Sequence, residues 1–531
     1  MKSIALVGAG PTTIYTLMAL LERREAFALS IFERLDQAGV GMPYCSERNH
    51  KLMLANIASV EIPAVTCTLL QWLKRQQPAY LAAHGVDRQT VHDRQFLPRV
   101  LLGAFFREQF ERVIQGLRAV GCAVQVHERC NVLDIAVEDR RVRLICDRPE
   151  ARQHFDQVII ATGHDWPAYN RATPDYYPSP WSGLLGRHVP AAHVGVLGTS
   201  LSAVDAVLAV VSQHGRFNCF GKQLQYVLNP GSEDLRVTLL SRTGVLREAD
   251  FYYPVPGEPL GVFTEEAVTS LKQGGRTGLL DRLFALMVDE LQQADPLWCR
   301  TINLLSCNAD TFSEAYFAAR VKADPFEWAE RNLVEVQVNQ RRRHTVPWRY
   351  TLLRLHEVVQ VLVPHLEPHD RRRFQQGLYR VFVDNYAAIP PHSIERLLAL
   401  RRAGVIEVAA LGKRYRVEAG RHATEVITAE RVLRFDAFID ARGQQPLASA
   451  DLPFPSLRER LLGNGQKRPQ FDSHLGLKLP GVASGQVVLA ALPYLMHVQP
   501  FIQGINACAD MGEVVAAAIA RYAGDRPAQV A

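Results

Sequence analysis

Two well-separated segments of the chain share one punctuation: an apolar run, a glycine turn and an apolar helix. The first reads SIALVGAGPTTIYTLMALLE from Ser3, the second HVGVLGTSLSAVDAVLAV from His193. In the first, Ser3–Val7 is expected to be a buried strand. Gly8 and Gly10 permit a tight turn and close backbone approach, and Pro11 and Thr12 open a helix whose free amides suit a pyrophosphate. The next apolar run, Leu29–Phe32, ends at Glu33 and Arg34. An acid at that spacing accepts the hydroxyls of an adenosine ribose and disfavours a 2′-phosphate. Thr13 takes the place of a third glycine, which sets the helix slightly further from the strand.

The second unit departs further from the glycine pattern. Gly198 is present, but Ser200 and Ala203 stand where further glycines are expected, and Leu201 begins the helix. The following strand, Val237–Leu240, closes on Ser241 and Arg242. A basic residue in place of the acid accommodates a 2′-phosphate, so NADPH is expected over NADH. Two dinucleotide sites in one polypeptide imply electron transfer between two cofactors.

Other segments repeat this logic. FDQVIIATGH and FDAFIDARG are both apolar strands that finish on small residues, Thr162 and Gly163 in the first case, where a cofactor can approach the backbone. From Pro256 to Arg402 the pattern turns to long amphipathic helices without strand alternation. The expected fold is therefore α/β: two Rossmann-like dinucleotide-binding domains with a helical insertion. The expected division gives 1–165 to the first domain, 188–256 to the second and 257–403 to the insertion. Residues 404–445 then return to the second domain and 446–531 to the first.

Composition narrows the function classes. The 531 residues carry a formal charge of +6, and the clusters Arg341–Arg343 and Arg371–Arg373 lack interleaved aromatics, so they read as solvated helix faces rather than a nucleic-acid stripe. The nine cysteines show no CxxC or CxxxxC spacing, which argues against a zinc ribbon and against a disulfide reductase. The histidines show no ligand spacing, so no metal is expected. No window approaches a membrane span, and the glycines and proline after Lys2 break any signal-peptide reading, so a soluble cytoplasmic protein is expected. A homo-oligomer is compatible with these features.

GAGPTT, the FER strand end, GVGMPYCSERNHKLMLANIAS, FLPR, ATGH and GTSLSAVD together resemble the FAD/NAD(P)-binding flavoprotein monooxygenase family that includes FAD-dependent urate hydroxylase and aspartate N-monooxygenase. The resemblance is strongest from Met1 to Asp205. It implies that Gly8, Gly10, Thr12 and Glu33 bind the adenosine half of FAD, that Asn56 lies at the isoalloxazine, and that Thr162 and Gly163 line the crossover.

The expected activity is that of an FAD-dependent, NADPH-using monooxygenase acting on a small molecule with dioxygen. N-hydroxylation of an amine through a flavin C4a-hydroperoxide is the first reading. Asn56, Arg99 and His497 are the candidate catalytic residues: Asn56 at the flavin, Arg99 as a fork for a carboxylate or phosphate, His497 as a proton carrier. His164, directly after ATG, is a further candidate. A flavin oxidase or dehydrogenase, a ring-carbon hydroxylase and a non-catalytic regulatory flavoprotein remain open alternatives.

Overall fold

The computed structural model describes residues 1–138, 141–148, 154–166, 173, 175–221, 223–420 and 422–524. Ser3–Val7 is buried at every position and runs through the middle of a five-stranded parallel sheet. A strand covered on both faces needs such a continuous apolar or small-residue run. Its neighbours are Ala28–Phe32 and Gln157–Ile160, with Ala123–His127 and Val487–Leu489 at the edges. The chain thus returns from residue 487 to complete the sheet it began at residue 3.

A second five-stranded parallel sheet has His193–Leu197 at its centre, between Arg236–Ser241 and Ala437–Asp440, with Ile406–Ala410 and Tyr176–Tyr177 outside. Gly195 is required there by packing: a Cβ would fall 2.7 Å from the Phe435 ring and 2.8 Å from that of Phe438. Each parallel sheet is preceded in its last inner strand by an antiparallel three-stranded unit. Val132–Val137, Val142–Cys146 and His154–Phe155 lead into Gln157–Ile160; Tyr415–Ala419, Thr424–Thr428 and Val432–Phe435 lead into Ala437–Asp440. The two halves are built to one plan. In both, the strand order reverses beside the central strand, and the crevice at its carboxyl end is where such sheets take ligands.

Between the second sheet's strands 236–241 and 406–410 lie helices from Glu265–Gln273 to Pro391–Arg402. Their core is aromatic and aliphatic, with Trp298 stacked on Trp348 at 4.5 Å. Arg373 corrects the expectation of a uniformly solvated arginine face. Its guanidinium is only 19% exposed and bonds Asp281 at 2.7 Å, Asp310 at 2.9 Å and Asp370 at 2.9 Å, tying separate segments together. Arg341, Arg342 and Arg343 are exposed.

The C-terminal helix, Gly504–Gly524, packs on the first helix, Pro11–Arg23. Gly512 allows the approach, since a Cβ there would fall 2.6 Å from Tyr15 Cβ. Just before this helix, the buried Phe501 enters the aromatic cluster of the insertion against Tyr379, Phe382 and Tyr386. Among the described residues no helix is long and apolar enough to cross a membrane.

Candidate active site

The first glycine turn is built for close approach. Gly8 has φ +99°, and a Cβ on it would fall 2.4 Å from the Ala161 carbonyl oxygen, so strand end 157–161 and the turn press directly together. The Thr13 hydroxyl donates to the Gly8 carbonyl at 2.6 Å, which explains how threonine serves where glycine was expected. No side chain caps the helix that starts at Pro11, leaving its first amides for another acceptor. The buried Glu33 carboxylate accepts from the Ala9 amide at 3.1 Å and the Leu35 amide at 2.9 Å. Those bonds hold it at the strand end with lone pairs to spare. Arg34 is exposed. A turn that a Cβ would fill, uncapped amides and an oriented acid fit the adenosine diphosphate half of FAD.

In front of this turn lies the loop Gly39–Tyr44. Gly41, with φ +77°, rests against Pro11, and a Cβ there would be 2.9 Å from Pro11 Cδ. Beyond the loop opens a cleft of about 1310 Å³, more than a drug-sized ligand fills. The first domain contributes Met42, Tyr44, Asn56 and His164 to its wall. From the second domain come Ser200, Leu201, Arg242 and Gly443. The insertion adds Arg354, Glu357, Tyr379 and Arg380, and the C-terminal helix adds Gly504, Asn506 and Asp510.

The residues singled out in the sequence divide accordingly. Asn56 is exposed into the cleft, and Ser200, Leu201 and Arg242 line it. Gly8, Gly10, Pro11, Thr12 and Glu33 sit behind the 39–44 loop rather than in the cleft wall. Thr162 and Gly163 lie beside the Gly8 turn, with His164 reaching the wall in their place. Gly198, with φ +140°, is held by its amide on the Leu240 carbonyl at 2.7 Å, and a Cβ would fall 2.8 Å from the Ala441 oxygen.

Two of the candidate residues have partners within the protein. Arg99 lines the cleft while its guanidinium pairs with Asp205 at 2.8 Å and donates to the Leu54 carbonyl at 3.3 Å. Asp205 lies on the helix after the second glycine turn, so the pair joins the two dinucleotide units. Burial raises the Asp205 carboxyl and Arg99 opposes the rise. His497 is not part of the cleft wall. Its Nε2 hydrogen-bonds the Leu447 carbonyl at 3.0 Å, while burial and the charge of Arg468 lower its proton affinity. Burial also takes His164 down to about 4, so its ring is neutral at neutral pH.

Several wall residues left no signal in the sequence. Asp250 and Glu61 face one another, with Tyr253 donating to Glu61 at 2.8 Å; burial, then the Glu61 charge, push Asp250 up to about 7. Glu357 pairs with Arg354 at 3.1 Å and is raised by burial, and the nearby Asp510 adds to the rise. These come from the insertion, the C-terminal helix and short connecting segments, none of which carries a motif. Asp205 did leave a trace, since a lone acid in the apolar run SAVDAVLAVV requires a buried partner.

Comparison with known proteins agrees with this architecture. Residues 5–165 match the FAD-NAD(P)-binding family and residues 264–386 the YdhS-like middle domain. The chain is 52% identical over 524 residues to the uncharacterized protein YdhS of Escherichia coli (strain K12), covering 98% of each. Among solved structures, it is similar to the ornithine N-hydroxylase KtzI of Kutzneria sp. 744, with TM-score 0.52 and 14% identity over 98% of this chain and 99% of that one. It is also similar to the L-lysine 6-monooxygenase of Pseudomonas syringae, with TM-score 0.51 and 15% identity over 98% of this chain and 100% of that one.

Proposed function

The chain belongs to the YdhS family of FAD- and NAD(P)-binding flavoproteins, and on that premise we propose that it is an NADPH-using monooxygenase that N-hydroxylates a small amine with dioxygen. The observation that carries the reading is the shared cleft, whose wall is drawn from both dinucleotide units, the insertion and the start of the C-terminal helix. The similarity of fold to an ornithine N-hydroxylase and a lysine 6-monooxygenase supports the choice of an amine. Bound FAD would supply the redox chemistry, accepting hydride from NADPH and activating dioxygen for transfer of one oxygen atom.

The chain's own residues have simpler duties. The Gly8 turn, the uncapped amides after Pro11 and Glu33 hold the adenosine half of FAD, while Asn56 orients the group that reaches the cleft. Gly198, Ser200 and Leu201 receive the NADPH pyrophosphate, and Arg242 takes its 2′-phosphate. Glu357 and Asp510 give the insertion end of the cleft two carboxylates that suit a cationic amine. Trp166 and Trp181, whose ring centroids lie 4.5 Å apart at a 30° tilt on the wall, help to exclude water. In this division residues 1–165 and 446–531 form the flavin domain, 188–256 and 404–445 the NADPH domain, and 257–403 the substrate region.

The test is anaerobic mixing of the purified yellow protein with NADPH or NADH, followed by dioxygen and a panel of amines. Expected are rapid NADPH-specific bleaching and one amine converted to a product carrying label from isotopic dioxygen. Bleaching by an organic donor alone supports an oxidase, and no bleaching by either route a binding protein.

A further inference from the structure

Arg380 belongs to the helix Leu378–Tyr386 of the insertion, yet it lines the cleft together with Arg242, Thr243 and Ser241 from the end of the second sheet's strand. Its guanidinium sits 5.3 Å over the Phe317 ring, a cation–π contact that helps to hold it in place. Arg380 is half-buried, and a guanidinium partly withdrawn from water gains from an anionic partner. The carboxylate at hand is Asp384, and it is committed: Arg320 and Arg247 both pair with it, Arg247 at 3.0 Å, and Tyr316 donates to it at 2.8 Å. Among the described residues neither Arg242 nor Arg380 has a carboxylate within 4.0 Å. The charges of Arg242 and Arg247, after burial, lower the Arg380 guanidinium, and Asp384 and Glu314 only partly offset them. Two cationic forks from different segments therefore share one wall, and among the described residues neither is in an ion pair with a carboxylate.

Resting on the NADPH reading above, we propose that Arg380 is a second anchor for the 2′-phosphate, closing on it from the insertion opposite Arg242, so that the YdhS-like middle domain takes part in choosing the nucleotide. A 2′-phosphate carries close to two negative charges near neutral pH and several acceptor oxygens, enough for two guanidinium forks. The ribose hydroxyl of NADH offers neither. Occupation of the site also relieves the repulsion between the two arginines, which makes nucleotide binding and the position of the insertion interdependent.

Calorimetry on the FAD-loaded protein with 2′,5′-ADP and with 5′-AMP isolates the phosphate from the reaction. Arg380→Gln keeps much of the stem over Phe317, and Arg380→Lys keeps the charge but not the fork. For Arg380→Gln we expect 2′,5′-ADP to weaken about 10- to 100-fold, as for loss of a charge-assisted bond, with 5′-AMP moving by less than about 3-fold. The lysine variant should fall between. Retained flavin absorbance and an unchanged melting temperature identify folded variants. If the wild type prefers 2′,5′-ADP and both variants keep that preference, the proposal is overturned while the NADPH reading stands. If the wild type does not distinguish the two probes, both are overturned.

Discussion

A lone aspartate in an apolar helix must be paired, and Asp205 is paired with Arg99 across the two dinucleotide units. Both side chains are nearly out of solvent, so the pair's worth lies less in net stability than in the cost of breaking it. Asp205→Ala should destabilise by about 3–5 kcal/mol because it strands the Arg99 guanidinium. The double variant Arg99→Met with Asp205→Leu should recover most of that loss. Thermal or urea unfolding of the three variants tests this, and a double variant no better than the single one rejects the buried-pair account. Glycines give a second residue-scale contrast. Gly8→Ala puts a Cβ 2.4 Å from the Ala161 oxygen at φ +99°, whereas Gly163→Ala, at φ +70°, meets nothing within 4 Å. The Gly163 change should cost only the left-handed backbone penalty of about 1–2 kcal/mol. Gly8→Ala should in addition displace the turn and release FAD, measured as flavin per protein after desalting. Equal flavin content in both variants would count against the Gly8 turn as the cofactor cradle.

At the scale of elements, the two strand–turn–helix units were legible because close backbone contact leaves glycine as its trace, at Gly8 and again at Gly198. The paired parallel sheets followed from the fully apolar runs that both-face burial demands. The wall of the cleft was less legible for an equally physical reason. Helical periodicity tells which face is apolar but not what the polar face meets. Arg341, Arg373 and Arg380 therefore look alike in sequence, although the first is exposed, the second binds three aspartates and the third lines the cleft. Likewise the sequence before the last helix does not tell that His497 bonds the Leu447 carbonyl and lies outside the cleft wall. Phe501 is another element-scale feature without a motif, joining the tail of the first domain to the insertion's aromatic core. Phe501→Ala should cost about 3–5 kcal/mol if the cluster cannot collapse. It should also raise proteolytic cleavage within the insertion before that in the first sheet. Cleavage that begins uniformly across the chain would show that Phe501 does not couple the two elements.

The whole molecule integrates these buried charges into its response to pH, and opposite signs meet in one structure. Asp384, bound by Arg320 and Arg247, overcomes its burial and sits below the usual carboxylate range. Its folded form therefore holds its proton less tightly than the unfolded chain, so its contribution is present above about pH 4 and is lost as pH falls through the depressed value. Asp250 behaves in reverse. Burial and the Glu61 charge raise it to about 7, so the folded protein keeps a proton that the unfolded chain releases near pH 4. Stability from this group is full in acid and drains away as pH rises from about 4 toward the folded value. The sum should place maximal stability on the mildly acid side of neutrality, with a decline toward pH 7 that few surface groups would produce. Asp250→Asn removes the titrating proton and should flatten the decline between about pH 5 and pH 7, by an amount on the order of a few kcal/mol, while leaving the acid limb set by Asp384 unchanged. Denaturant unfolding across that range decides the matter: a variant with the same slope as the wild type removes Asp250 as its source. Because Asp250 lines the cleft, the same protonation should also change the charge that a cationic ligand meets, so ligand affinity and stability should shift over one pH window.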